Sequence, residues 1–469
     1  MTTRFINVVS DQDTLIVYGL ARNEFGQQGL LFLRIDTLGN VLSTEHHVDS
    51  ISPPYFARQG HDLQISPEGK YQFVGDDTEG GIIAVTGRDG ELVTIHTFPK
   101  APFLWKCHSD ISRVAQGNVV GGSSQVESGR MELFLQFIDG LGQVTHEVEF
   151  GDLDNYFLLG DLMSNSTSHI VVGSYIQESR GELGWEQPWI FCIDTLGEIQ
   201  WEWFGERDIK GGVVDDLVLT PDGGYAFLNT FVDTVIFVGI DAGFKRGRLV
   251  KLDSNRNVEW KTTIGIPSLE VNDLTELVMT EEGDFLATGK YSPNEINGQG
   301  LAMVNWTVKF SAEGEVIWER FDSTIYTPER GVWNDPSGIT LLSSGSIIIC
   351  GSARHLLGDD QQERGYLIKL DKNGCAVPGC ELGPLTRLEV PYQAMPEVRI
   401  FPNPASESVT VELLHRADIL MFDAQGRFVL ARDDAMGSVR LDVALVPFGL
   451  YFLRIATRQG WTVRKVVVE

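Results

Sequence analysis

Five acidic side chains stand at one position of a repeating pattern: Asp62, Asp110, Asp161, Asp216 and Glu276 each precede the same turn position by seven residues. If the strand carrying them is innermost in its unit, symmetry brings them around one rim. Several oxygens about a common point are what Ca²⁺ requires, so calcium is the one cofactor the pattern suggests. The same register also suits a structural task, in which each carboxylate bonds its own turn or the neighbouring unit.

Cys375 and Cys380 form the only close pair among five Cys. A disulfide there would close a six-residue loop, worth about 2 kcal/mol in loop entropy. Two thiolates could instead ligate a metal, although no second Cys/His pair follows at zinc spacing. Cys107, Cys192 and Cys350 lie in or beside apolar strand-like runs and read as buried thiols. His46 and His47 are adjacent, so on a strand they face opposite ways and make a poor metal pair. The chain carries no His-Glu-x-x-His, no Gly-x-Ser-x-Gly, no P-loop and no dinucleotide fingerprint.

Whatever chemistry exists is therefore positioned by the repeat. An apolar strand, a turn of Asp-x-x-Gly type and a second strand recur, with the turns ending at Gly39, Gly90, Gly142, Gly197, Arg256, Gly314 and Gly374. Successive spacings of 51, 52, 55, 59, 58 and 60 make seven units. Each turn fits a hairpin, because Asp bonds amides two residues on and Gly accepts positive φ. A second strand pair lies upstream in each unit, as in Asp216–Gly223 and Glu276–Gly283. Four short strands per unit, repeated, predict an all-β, seven-bladed β-propeller over residues 1–380. Trp201, Trp260 and Trp318 share one register, four residues past the turn, which suits packing between blades.

Residues 381–397 carry three prolines and read as a linker. Residues 398–469 then alternate in short strands separated by turns, which predicts a small Ig-like β-sandwich. The net charge of −28 disfavours nucleic acid, and the first 397 residues carry all of it, at −29. No apolar run is long enough to span a membrane. Residues 1–13 hold no apolar segment of signal-peptide type.

The last 72 residues resemble the type A C-terminal sorting domain of the type IX secretion system. The matching positions are Phe401, Pro402, Asn403 and Pro404 with Ser408 to Leu413, Asp423 to Arg427 around Gly426, Gly449 to Tyr451, and the basic-then-apolar end from Arg464 and Lys465 to Val468. The resemblance implies a cargo exported across the outer membrane of a Gram-negative bacterium, then released or held at the surface, with the type IX machinery as a partner. The repeats more loosely resemble those found in front of such domains, including the Cys375 and Cys380 ending.

Two functions compete for the repeat region. The first is a binding module for an extracellular polysaccharide or protein. The second is a glycan-active enzyme, hydrolase or lyase, which needs a convergent pair of carboxylates. A quinone-cofactor propeller fits less well, since this chain has Thr-Leu-Gly where that repeat usually has Thr-Gly-Lys.

Overall fold

A computed structural model of the chain describes residues 2–12, 14–48, 63–66, 68–76, 80–99, 105–125, 130–152, 154–166, 169–178, 185–209, 212–237, 241–265, 272–292, 302–325, 330–356, 362–376, 398–423, 428–444, 446–457 and 460–469. Among these there are strands and no helix. Two compact units result: Met1–Pro293 with Met303–Arg387, and Asn294–Ala302 with Leu388–Glu469.

The first unit opens with β1 (Thr3–Asp11), β2 (Thr14–Arg22), β3 (Gln28–Asp36) and β4 (Val41–His47), antiparallel and hydrogen-bonded in that order. The same order recurs in β5 (Leu63–Ile65), β6 (Tyr71–Asp76), β7 (Gly80–Thr86) and β8 (Leu92–Pro99). It recurs again in β9 (Trp105–Val114), β10 (Gly117–Gln125), β11 (Met131–Asp139) and β12 (Val144–Phe150). The fourth sheet is β13 (Asn155–Ser166), β14 (His169–Glu178), β15 (Trp185–Asp194) and β16 (Ile199–Phe204), with the short β17 (Asp208–Ile209) on β15. The fifth is β18 (Val213–Leu219), β19 (Tyr225–Phe237), β20 (Asp241–Leu252) and β21 (Val258–Ile264).

The last strands are β22 (Asn272–Met279), β23 (Phe285–Tyr291), β24 (Ala302–Phe310) and β25 (Val316–Asp322), then β26 (Val332–Leu341), β27 (Ile347–Arg354) and β28 (Arg364–Leu370). A pairing of β24 with β26 joins these two groups into one seven-stranded sheet. No fourth strand follows β28 among the described residues.

Alternation places one apolar row on each face of a sheet, and consecutive sheets bury those rows against each other. Tyr18 and Phe32 of the first sheet meet Tyr71 and Phe73 of the second, with Tyr18 and Phe73 stacked at 4.7 Å. The series returns on itself, because Val8, Val17 and Leu33 of the first sheet share a core with Leu342, Ile348 and Cys350 beside the last. Thr3 N donates to Glu363 O at 2.9 Å, and the Ser337 hydroxyl donates to Phe5 O at 2.9 Å across the same junction.

The recurring turns form as their residues dictate. Asp36 Oδ1 accepts from the amides of Leu38 and Asn40 at 2.9 and 2.8 Å, and Asp194 and Asp253 repeat the arrangement. Gly314 and Gly374 have φ of 83° and 81°, where a Cβ is strained. A Cβ there would also meet the rings of Trp260 and Trp318 at 2.5 and 2.9 Å. The two Trp thus lie beneath the turn of the next unit. Trp201 packs in the same direction, its ring 5.4 Å from Tyr225 of the following sheet.

The second unit is a single five-stranded sheet: β29 (Arg399–Phe401), β30 (Ser408–Asp423), β32 (Gly449–Thr457) and β33 (Gly460–Val468) in order, with β31 (Phe428–Asp442) on β30. The long β30 changes partner halfway. Its first part pairs β29 and the end of β31, while its second part pairs β32 and the start of β31, with a register break between Leu413 and Ala417. Val409, Val411 and Leu413 from one part and Ile419 and Met421 from the other join Leu453 and Ile455 in one core. Gly449 is the first residue of β32. The linker 381–397, Asp62, Cys380 and Gly426 lie outside the described residues.

Candidate functional site

The acidic register is built by bulges. In β13, β18 and β22 the pairing slips between Leu159 and Asp161, Val214 and Leu217, and Leu274 and Glu276, which re-aims the side chain at the slip. In β9 the slip falls beside Asp110, opposite Gly121 and Gly122. Asp110 accepts the amide of Leu162 at 2.8 Å, Asp161 that of Leu217 at 2.9 Å, and Asp216 that of Leu277 at 2.5 Å. Each carboxylate therefore holds the first strand of the next sheet. Glu276 is buried, and its charge bears on the Cys350 thiol of β27, which burial already holds well above its ordinary range. Among the described residues no three His, Cys, Asp or Glu side chains gather closely enough to hold a metal.

A different set of charges does gather. Asp215, Asp273 and Asp335 lie on β18, β22 and β26, the first strands of three consecutive groups. Lys290 of β23 places Nζ 2.5 Å from Asp335 Oδ1, and Arg4 of β1 places Nη2 3.6 Å from Asp335 Oδ2. Asp215 Oδ2 accepts the amide of Thr230 at 3.2 Å. Asp273 Oδ1 is shut off from solvent and has no hydrogen-bond donor.

Burial pushes the Asp215 carboxyl up to about 7, the Thr230 side chain opposes this, and the Asp273 charge adds to it. Asp273 is also raised by burial, against the pull of Lys290 and Lys245. For Lys290 burial works against the charge, yet Asp335 and Asp273 hold the ammonium above its ordinary value. Perturbed groups of this kind, arranged at one end of neighbouring strands, are the usual physical mark of a functional site.

These residues were not the ones the repeat singled out. Asp215 adjoins Asp216, and Asp273 precedes Glu276 by three. A signal existed in Asn272-Asp273 and Asn334-Asp335, the same dipeptide 62 residues apart. Both dipeptides lie upstream of the turns that mark the repeat.

The raised Asp215 gives a pH signature. Between an ordinary carboxyl value near 4 and about 7, the folded chain holds a proton that the unfolded chain has lost. Stability must fall as pH rises through that window and level off above it. Asp215→Asn is expected to be more stable than the parent above pH 7, by on the order of 2 kcal/mol, with the gain vanishing towards pH 4. Denaturant melts at a series of pH values check it; parallel profiles for the two chains would refute it.

The second unit has its own distinctive geometry. Asn403, exposed in the Phe401 to Ala405 segment, donates Nδ2 to Lys465 O at 2.8 Å and accepts the Val467 amide on Oδ1 at 2.9 Å. Ala405 N donates to Val467 O, and Glu469 N to Ala405 O, each at 2.8 Å. The first and last blocks of the unit are thereby laced together, and the outer edge of β33 is covered there. The peptide bonds before Pro402 and Pro404 are cis. Arg464 and Lys465 are exposed, while Val466 and Val468 are buried.

Cys375 is disulfide-bonded, while Cys192 and Cys350 are free and buried.

Comparison with known proteins bears mainly on the second unit. The family model described as secretion system C-terminal sorting domain matches residues 399–469. No curated protein sequence matches the chain. Among solved structures, a puromycin-hydrolyzing peptidase of Mycobacterium tuberculosis is similar at 12% identity and a TM-score of 0.48, covering 87% of this chain. The chain spans 57% of that peptidase's length. The β-propeller domain of the Trilobed protease from Pyrococcus furiosus is similar at 11% identity and a TM-score of 0.39, over 79% of this chain and 95% of that one. Drosophila Semaphorin 2a is similar at 8% identity and a TM-score of 0.43, over 100% of this chain and 96% of that one. At such identities no activity carries across.

Proposed function

We propose that this chain is cargo of the type IX secretion system. In this reading residues 1–380 are a seven-bladed β-propeller acting as a secreted or surface-displayed binding module, 381–397 a linker, and 398–469 an Ig-like sorting domain. The observation that carries it is the sorting-domain match at 399–469. Support for the ring comes from the regular turn spacing, the four-stranded sheets, and the core shared between the first and last sheets. Pairing of Cys375 with Cys380 fits the same reading, because disulfides persist in oxidising compartments. The binding partner of the repeat region is an extracellular polysaccharide or protein.

Export is tested by transplanting the tail. A periplasmic reporter carrying residues 381–469 at its C-terminus is expected to reach the cell surface or medium of a host with type IX secretion, and to stay in the periplasm of a strain lacking it. Equal retention in both strains would overturn the sorting role. A panel of soluble polysaccharides, scored for binding and for released products, separates a binding module from a glycan-active enzyme.

A further inference from the structure

Of the first five sheets only the fourth departs from four strands, by the short β17 laid on β15 beyond the end of β16. Phe204 pairs with Trp189 and Asp208 with Glu186, so the three residues Gly205 to Arg207 stand opposite two, Gln187 and Pro188. That surplus is a bulge, a device that re-aims a side chain. Here it lays the Arg207 guanidinium over the Trp185 ring, 4.1 Å from its centroid, while Arg207 Nε donates to Gln187 Oε1 at 3.2 Å. Gln187 is itself fixed, since its Nε2 donates to Gly205 O at 2.8 Å, and Gly205 N donates to Pro188 O at 2.9 Å. Both Nη groups of this exposed Arg207 are left without an acceptor among the described residues. The neighbouring Glu206 turns instead to Lys261, at 3.4 Å. On the same side of β15, Phe204 lies parallel to the buried Trp189, with 3° between the ring planes, and is 46% exposed.

We propose that this arrangement binds an acidic polysaccharide, with a uronic acid carboxylate taking both Nη groups of Arg207 and a nearby sugar ring resting on Phe204. The inference rests on the binding-module reading and names a ligand class for it. Three considerations select the ligand. A guanidinium whose Nε is occupied still offers two Nη donors in one plane, which matches the two oxygens of one carboxylate. Phe204 adds a flat apolar face, which the C–H face of a pyranose covers and a simple anion does not. Phe204 stands at Trp189 and Arg207 at Trp185, four residues along β15, or about 13 Å at ~3.3 Å per residue. One sugar ring does not reach both, so the ligand is an oligomer.

The net charge of −28 repels anions at long range, so a carboxylate is retained only where a cation is held unpaired at short range. With 65 acidic residues against 37 Lys and Arg, a cation fixed by a ring and an amide yet clear of every described carboxylate meets that condition. Short oligomers are the suitable probes, in about 0.1 M salt, where repulsion is screened beyond about 10 Å.

The full chain is titrated by calorimetry with trimers of galacturonic acid and of mannuronic acid, and with the methyl esters of both, which keep the rings and lose the charge. A terminally blocked glycyl-glutamyl-glycine peptide presents the same carboxylate from a protein source. At least one trimer is expected to bind and to raise the melting temperature by mass action, with its ester about tenfold weaker or worse. Arg207→Lys keeps the charge but neither the fork nor the stack, and should weaken binding about tenfold. Phe204→Ala should weaken it too, whereas Lys372→Met, at an exposed cation of the last turn, should leave it unchanged. Arg207 and Phe204 are both exposed, so unchanged melting temperatures of the unliganded variants are expected and confirm their folding. An ester bound as tightly as its acid, the peptide bound as tightly as the trimers, undiminished binding in Arg207→Lys or in Phe204→Ala, or no heat with either trimer up to about 10 mM would each overturn the proposal. If a neutral polysaccharide binds while both trimers fail, the binding-module reading stands and this site falls; if no polysaccharide or protein binds, both fall.

Discussion

A chain ending at Val463 is expected to have no folded second unit and to stay in the periplasm of a type IX host when supplied with an inner-membrane export signal. The truncation takes away Val466 and Val468, both buried in the core, along with the two carbonyls and two amides that Asn403 and Ala405 bind. Two buried valines and four hydrogen bonds together come to about 6 kcal/mol or more. A domain this small has little stability beyond that. Circular dichroism of the isolated tail, with and without Arg464 to Glu469, reads the fold, and cell fractionation reads the export. A truncated chain found outside the cell at normal yield would mean that sorting does not depend on the laced end. Asn403→Ala, which leaves Val466 and Val468 in place, should cost only about 2 kcal/mol.

The second large effect is expected in the first unit. Asp161→Ala should lower unfolding free energy by about 3 kcal/mol, because it strands the buried Leu217 amide that Asp161 accepts. Asp161→Asn keeps an acceptor oxygen and should cost about 1 kcal/mol. Ser337→Ala, at the junction of first and last sheets, should also cost only about 1 kcal/mol, since it removes a single hydroxyl donor to Phe5 O. Guanidinium unfolding of the three variants ranks them; Asp161→Ala indistinguishable from the parent would show that the amide finds another partner.

These two cases also mark how far the residues alone could be read. The turn grammar was open to inspection because it is local: Asp36, Asp194 and Asp253 do their work within four residues. The Trp register was open too, since identical side chains at identical spacing must meet similar surroundings. The tail blocks could be recognised, but nothing in them showed that Asn403 reaches residues 62 and 64 positions away. The acidic register was visible, yet its direction depended on a bulge. One extra residue in a strand leaves no mark in composition or period, so the sequence offered both a converging rim and ties between sheets. Asp273 was hidden for a related reason: its importance comes from Lys290 turning to Asp335, a choice made in three dimensions. Nor did the residues of the second unit show that β30 would pair β29 and the end of β31 in its first part and β32 and the start of β31 in its second.

The junction between the ends of the repeat region has a consequence for how such a chain changes over time. Its first sheet is made wholly of strands from Thr3 to His47, and among the described residues the last group takes none of them in. The ends touch through side chains and a few polar links rather than by lending a strand to each other. A gene encoding it can gain or lose any of the first five units without cutting a strand ladder, since each of those ladders is made by neighbours along the chain; only the pairing of β24 with β26 ties two groups together. What such a duplication must match is only one apolar face and one acidic side chain per unit. The unevenness of the present acidic register, with Gly338 where its neighbours have carboxylates, is what copies drifting separately after duplication would leave.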